Sequence, residues 1–162
     1  YREQSDFMTA RETASRAAQE AIAAGDLALT ATIEGGYAEI QLLDGEADVA
    51  LVAARRAVAL HREIGDVAGE SEDLRTVAAA LTRTGHVTEA TTMLRDVIAR
   101  ATELNRPLLT ALAERDLARL LHEENSNDEA EELARRARSR FQHLGSEVEV
   151  RRLDQLLAKV SA

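Results

Sequence analysis

A residue that tolerates positive φ recurs every 20 positions along most of this chain: Gly25, Gly45, Gly65, Gly85, Asn105, Asn125 and Gly145. Glycine has no Cβ to clash in left-handed backbone, and asparagine tolerates that region better than most residues, so both commonly close helices. Such even punctuation is architectural. Gly25-Asp26 and Gly65-Asp66 each read as a helix stop followed at once by a new N-cap.

Between the stops, apolar residues fall at 3- and 4-residue steps, which predicts eight helices. The first runs from about Asp6 to Ala24 with Ala10, Ala14, Ala17 and Ala21 on one face, and the second from Leu27 to Leu43 with Ile33, Tyr37, Ala38 and Ile40. The third, Ala47 to Ile64, presents Ala50, Ala53, Ala54, Ala57 and Ile64; the fourth, Val67 to Thr84, presents Leu74, Val77, Ala78 and Leu81. The fifth, Val87 to Leu104, has the most regular stripe, from Ala90 through Leu94, Val97, Ile98 and Ala101 to Leu104. Pro107 opens the sixth, where no backbone donor is lost, with Leu117, Ala118 and Leu121 inward. The seventh, Asp128 to Leu144, buries Ala130, Leu133, Ala134, Ala137 and Phe141, and the eighth starts near Glu147 with Val150, Leu153, Leu156, Leu157 and Val160.

Gly35 and Gly36 lie inside the second helix. Each costs about 1 kcal/mol relative to alanine, so they mark either close helix packing or a bend. Ser126 with Glu129, and Ser146 with Glu149, have capping-box spacing.

A second period lies at 40 residues. Ala10, Ala50, Ala90 and Ala130 occupy one place in the odd-numbered helices, and Ala38, Ala78, Ala118 and Ala158 one place in the even-numbered helices. Closely crossing helices require a small residue there, since a larger one costs roughly 1–3 kcal/mol in overpacking. Short turns make neighbouring helices antiparallel. Composition agrees: with 45% hydrophobic residues, one proline and 2% aromatics, the chain is too apolar for disorder and poorly suited to a β-sandwich or barrel. The expectation is an all-α stack of helix pairs forming a superhelix.

The units resemble tetratricopeptide repeats (TPRs) of the longer kind, with about 40 residues per unit. The resemblance rests on Ala78, Gly85 and Glu89-Ala90, and again, with asparagine for glycine, on Ala118, Asn125 and Glu129-Ala130. The chain departs from the family pattern in having alanine for the first-helix glycine, Gln41, Leu81 and Leu121 at its aromatic positions, and Gly65, Asn105 and Gly145 for its closing proline. The resemblance implies a right-handed superhelical solenoid of antiparallel pairs, taken as one repeat domain over 1–162. It implies also that the even-numbered helices line a concave groove. Arg75 and Arg83 of the fourth helix, Arg115, Arg119 and His122 of the sixth, and Arg152, Gln155 and Lys159 of the eighth would then face that groove, while the second offers Glu34 and Glu39.

The functional reading of that basic track is a clamp for an acidic peptide or a C-terminal carboxylate. The competing reading is solvated helix charge balanced by Glu72, Glu114, Asp116 and Glu123. Arg55, Arg95 and Arg135, with Arg56 and Arg136 beside them, form a second track on the odd-numbered helices and read as a solvated outer face. His61 takes the repeat place of Ala21, Ala101 and Phe141, which predicts an interhelical boundary and a hydrogen-bond partner; a metal or pH-sensing role is the alternative.

Other classes are excluded or disfavoured. No metalloprotease, phosphate-loop or nucleophile-elbow motif is present, so no catalysis, cofactor or metal is expected. Zero cysteines exclude disulfides and fit a reducing compartment, so cytoplasm is expected. A net charge of -9 disfavours nucleic acid and anionic membrane, and no apolar run approaches the roughly 20 residues a spanning helix needs. Tyr1 at the start suggests a segment of a longer protein. The stretch from Ala59 to Glu70, ALHREIGDVAGE, is similar to repeat arrays in bacterial signalling and transcription regulators, so the resemblance implies a non-catalytic protein- or peptide-binding module in a cytoplasmic regulator of that kind. Its rivals are a scaffold that self-associates through its terminal helices, and a sensory domain for a small ligand or signalling peptide.

Overall fold

The computed structural model describes residues 9, 12, 13, 16, 17 and 20–160, and these are helical apart from the short turns between helices. Residues 20–24 belong to a first helix (α1). Then follow α2 (Leu27–Asp44), α3 (Ala47–Glu63), α4 (Val67–Arg83), α5 (Val87–Glu103), α6 (Pro107–Glu123), α7 (Asn127–His143) and α8 (Glu147–Val160). The chain divides into two compact units, one ending at His86 and one beginning at Val87.

All seven punctuation residues have positive φ, from 51° at Asn105 to 90° at Gly45. Around Gly65 the hydrogen bonds show why. The Gly65 N–H donates to the Arg62 carbonyl at 3.2 Å, and the Asp66 N–H reaches back to the His61 carbonyl at 2.9 Å. This is a Schellman cap, which satisfies carbonyls that the helix end would otherwise leave open. The long bond recurs at each 20-residue step: Glu46 to Gln41, His86 to Leu81, Arg106 to Ala101, Ser126 to Leu121 and Ser146 to Phe141. The next helix is then capped from its other end. Asp26 Oδ1 accepts from the Leu29 N–H at 2.9 Å, and Asp66 Oδ1 from Ala68 and Gly69 at 3.1 and 3.0 Å.

Several helix ends fall one residue earlier than the spacing predicts. Ile64 and Leu104, expected inward, follow the last helical residue and are exposed. The tightening of the last turn carries them off the apolar stripe.

Packing follows the alanine series. Ala38, Ala50, Ala78, Ala90, Ala118 and Ala130 are all completely buried. Ala158, expected to match them, is exposed on α8, where no described element covers it. Ala10 and Ala14 lie outside the described residues. In the first unit α2 packs on α3, α3 on α4 and α2 on α4; in the second, α5 packs on α6, α6 on α7, α7 on α8 and α6 on α8. The two mid-helix glycines of α2 divide between roles. A Cβ on Gly35 would stand 2.5 Å from Asp73 Oδ1 of α4, whereas one on Gly36 would meet nothing within 4 Å. Close packing therefore accounts for Gly35, and the helix continues through both. The apolar face of α8 is partly covered, with Leu153 and Val160 buried and Val150, Leu156 and Leu157 half-buried.

Two of the stops should respond in opposite ways to substitution. A Cβ on Gly65 would meet nothing within 4 Å, so Gly65→Ala carries only the left-handed backbone penalty and should lower stability by about 1 kcal/mol. Asn105→Gly removes such a penalty and should raise stability by up to about 1 kcal/mol. Urea unfolding midpoints of the two variants measure both.

Candidate functional site

In the second unit, α6 and α8 are separated by a cleft of about 450 Å³ lined by Arg115, Arg119, Glu149, Arg152, Leu153, Gln155, Leu156 and Lys159. Five of these residues belong to the groove-facing set expected from the sequence. Helical spacing explains the gathering: Arg115 and Arg119 lie one turn apart on α6, and Arg152, Gln155 and Lys159 follow at one-turn steps on α8. Leu153 and the half-buried Leu156 supply the apolar part of the lining.

The four cations are not equivalent. Arg115 donates to Asp116 Oδ1 through Nε and Nη2 at 3.0 and 2.7 Å, and to Glu149 Oε2 through Nη1 at 2.8 Å. Burial works against the Arg115 charge, but the Asp116 charge and the bonds to Glu149 and Asp116 outweigh it and push its pKa up. Burial also opposes ionisation of Glu149. Its bonds to Arg115 and Arg152 overcome that and hold its carboxyl below the ordinary value. Arg152 donates to Glu149 Oε1 at 2.5 Å. Arg119 and Lys159 are exposed and make no side-chain hydrogen bond or ion pair among the described residues.

The other expected groove residues lie apart. His122 Nδ1 is 3.0 Å from Asn127 Oδ1 and outside the cleft lining. Arg75 and Arg83 belong to the first unit, where Arg75 Nη2 donates to Glu39 Oε1 at 3.3 Å and Arg83 Nη1 to the Leu42 carbonyl at the end of α2. Arg75 and Arg115, one repeat apart, thus turn opposite ways: one to the preceding even-numbered helix, the other to the following one.

Two sequence readings need correction. Ser126 makes no side-chain cap bond, and its N–H, which a capping box would give to Glu129, goes to the Leu121 carbonyl, while the Glu129 carboxylate accepts from Arg95 Nη2 at 2.9 and 3.0 Å across helices; Glu149 likewise accepts from arginines. Glu114 is no solvated counter-charge but a completely buried carboxylate. Arg136 donates to its Oε1 through Nε and Nη2 at 3.0 and 2.6 Å, and Arg140 Nε to its Oε2 at 3.0 Å. Arg136 therefore leaves the solvated outer track to which the spacing assigned it. Arg135 stays there, paired with Glu131 one turn away. No sequence signal distinguished Glu114 from the exposed acids around it, because its place facing α7 depends on helix rotation.

No protein-family model and no curated protein matches the sequence. Among solved structures, BtubC (BKLC) from P. vanneervenii superposes with a TM-score of 0.78 at 19% identity, over 95% of this chain and 65% of that one. The chain thus spans less than two thirds of BtubC. A Podosopora anserina protein described as a putative kinesin light chain with nearly identical TPR-like repeats matches at TM-score 0.57 and 16% identity, over 98% of this chain and 96% of that one. A single-residue variant of that protein gives 0.58. The chain has the TPR-like fold.

One polar cluster in the first unit stands apart from the groove. His61, on the repeat place of the buried Ala21, Ala101 and Phe141, is itself buried on α3 with its Nδ1 2.6 Å from Asp73 Oδ2. Its Nε2 is 3.9 Å from Asp66 Oδ2, and a Cβ on Gly69 would collide with the imidazole at 2.7 Å. The expected interhelical boundary and hydrogen-bond partner are both found. No group of three or more His, Cys, Asp or Glu suited to a metal ion occurs among the described residues. Burial pushes the Asp73 carboxyl up to about 6, against the opposing pull of its His61 bond and charge.

A carboxyl whose folded pKa lies above its unfolded value stabilises the fold below the unfolded value, and that contribution is lost as pH rises through the folded one. For Asp73 the window runs from 3.8 to about 6. The stability of the native chain relative to Asp73→Asn should therefore fall by about 1–3 kcal/mol between pH 4 and pH 7, measured as urea midpoints of the two proteins across that range.

Proposed function

We propose that this chain is a non-catalytic protein-binding module of a cytoplasmic bacterial signalling or transcription regulator, and that it binds an acidic segment of its partner in the α6/α8 cleft. The observation that supports this is the gathering of Arg115, Arg119, Arg152 and Lys159 beside Leu153 and Leu156, against one lining carboxylate, Glu149. On a chain of net charge -9 such a concentration of cations stands out. The TPR-like relatives in structure contribute the fold through which such grooves are built. Membership of a regulator, the bacterial source, the cytoplasmic location and the treatment of 1–162 as one repeat domain rest on the sequence reading alone.

The mechanism divides the cations. Arg115 and Arg152, held by Glu149, keep the cleft wall in place, while Arg119 and Lys159 meet the ligand's carboxylates. Exposed ion pairs contribute only about 0–1 kcal/mol each, and micromolar affinity needs about -8 kcal/mol. The ligand must therefore also bury apolar side chains against Leu156, so a segment mixing acidic and apolar residues fits better than an acidic run.

A fluorescein-labelled peptide alternating leucine and glutamate should bind with saturable anisotropy, and Arg119→Glu with Lys159→Glu should weaken it at least tenfold while circular dichroism stays unchanged. Equal binding by the double variant, or tighter binding of a leucine–lysine peptide of the same length, would remove the cleft from the proposal.

A further inference from the structure

A second cleft in the same unit, about 470 Å³, is lined by Pro107 at the start of α6 and by Arg136, Ser139, Arg140, His143 and Leu144 at the end of α7. It shares no residue with the α6/α8 cleft. Both of its arginines donate to the buried Glu114 carboxylate, which is not itself part of the lining. One buried negative charge thus anchors two positive ones. The anchoring also leaves donors over. Arg136 uses Nε and Nη2 on Glu114, and its Nη1 lies 3.9 Å from the exposed Glu132. Arg140 uses only Nε, so both of its terminal nitrogens remain available.

Two further polar groups border these guanidiniums. His143 Nδ1 lies 2.7 Å from the Ser139 carbonyl; a carbonyl oxygen only accepts, so Nδ1 carries the proton and Nε2 is the free ring nitrogen. The Ser139 side chain is exposed. Pro107, Leu144 and the arginine stems make the rest of the wall apolar, and the volume falls within the roughly 300–1,000 Å³ usual for small-ligand pockets.

From this arrangement we infer that the α6/α7 cleft is a binding site for a small organic oxyanion, a carboxylate or phosphate group carried on an apolar body. The charged head is held by the terminal nitrogens of Arg140 and Nη1 of Arg136, assisted by the Ser139 hydroxyl, while the Nε2 lone pair of His143 is left to accept from a donor on the ligand body. The apolar body lies against Pro107 and Leu144. Glu114 orients the two forks before the ligand arrives, so little side-chain freedom is lost on binding. Glu132 is almost three-quarters exposed, so it returns to water at little cost when the ligand displaces it.

Isothermal titration of the whole chain with phenyl phosphate, benzoate and benzyl alcohol tests the site, the three probes sharing a ring and differing in the head. At least one anion should saturate at low-millimolar concentration while benzyl alcohol does not; whichever anion binds tighter identifies the head group as phosphate or carboxylate. Ser139→Asp places a negative charge in the cleft without touching the Glu114 bonds, and it should weaken the anion at least tenfold at unchanged thermal midpoint. Arg140→Gln should do the same, and if that variant does not fold, Ser139→Asp decides alone. Arg119→Glu, in the other cleft, should leave the affinity within twofold. The inference is overturned if neither anion saturates, if benzyl alcohol binds as tightly, if Ser139→Asp has no effect, or if Arg119→Glu abolishes binding.

Discussion

The structure depends on a backbone event repeated every 20 residues: one residue turns left-handed, the amide after it reaches back five positions, and the helix ends. Helix ends are usually ragged because fraying costs little. Here the positive-φ residue and the long back-bond fix the stop, and from α3 to α7 each helix has 17 residues. Equal lengths and equal turns keep corresponding residues of neighbouring antiparallel helices at the same height. That is why a small residue at one place in each helix is enough to let the axes approach, and why Ala38, Ala50, Ala118 and Ala130 are all lost from solvent. The residue whose carbonyl receives the back-bond is buried each time as well, whether Ala21, Gln41, His61, Leu81, Ala101, Leu121 or Phe141. One hydrogen-bond pattern therefore positions both the helix ends and the deepest side chains.

Close approach also sets what polar groups can do. Where α2 and α4 meet, the missing side chain of Gly35 makes room for Asp73, and between α3 and α4 the missing side chain of Gly69 makes room for the ring of His61. A buried carboxylate and a buried imidazole would each be costly alone. Placed 2.6 Å apart they satisfy each other, and the residual cost of burying the acid appears as its raised pKa. Glu114 in the second unit solves a similar problem differently. Fully buried, it takes three hydrogen bonds from two arginines whose stems reach it from α7 while their outer nitrogens stay near water.

Fold class and helix positions were legible in the sequence because they follow from local chemistry repeated in register. Gly65 and Asn105 state their conformation by residue type, and Leu94, Val97 and Ala101 state their face by spacing. The candidate site was legible in part. Spacing along α6 and α8 put Arg115, Arg119, Arg152 and Lys159 on adjoining faces, and they share one cleft. What spacing could not supply was the partner of each charge. Ser126 and Glu129 have the correct separation for a capping box, yet Glu129 lies within 3.0 Å of Arg95, 34 positions earlier in the chain, and the arginine takes it. The Ser126 amide that a capping box would offer is already donated to the Leu121 carbonyl, and only the packed structure brings Arg95 to the carboxylate left over.

The same reasoning separates sequence equivalence from electrostatic equivalence in a repeat. Lys159, Arg119, Ala79 and Glu39 occupy one repeat place, so the side chain facing a given neighbour changes from cation to methyl to carboxylate along the chain. Arg75 therefore finds its acid in Glu39 on α2, while Arg115, with Asp116 beside it, finds another in Glu149 on α8. An arginine so held acts as part of the wall, since releasing it to a ligand would leave a partly desolvated carboxylate unpaired. Arg119 and Lys159 have no such obligation. In a scaffold whose backbone repeats every 40 residues, the capacity to bind charge thus depends on which acids are absent as much as on which bases are present.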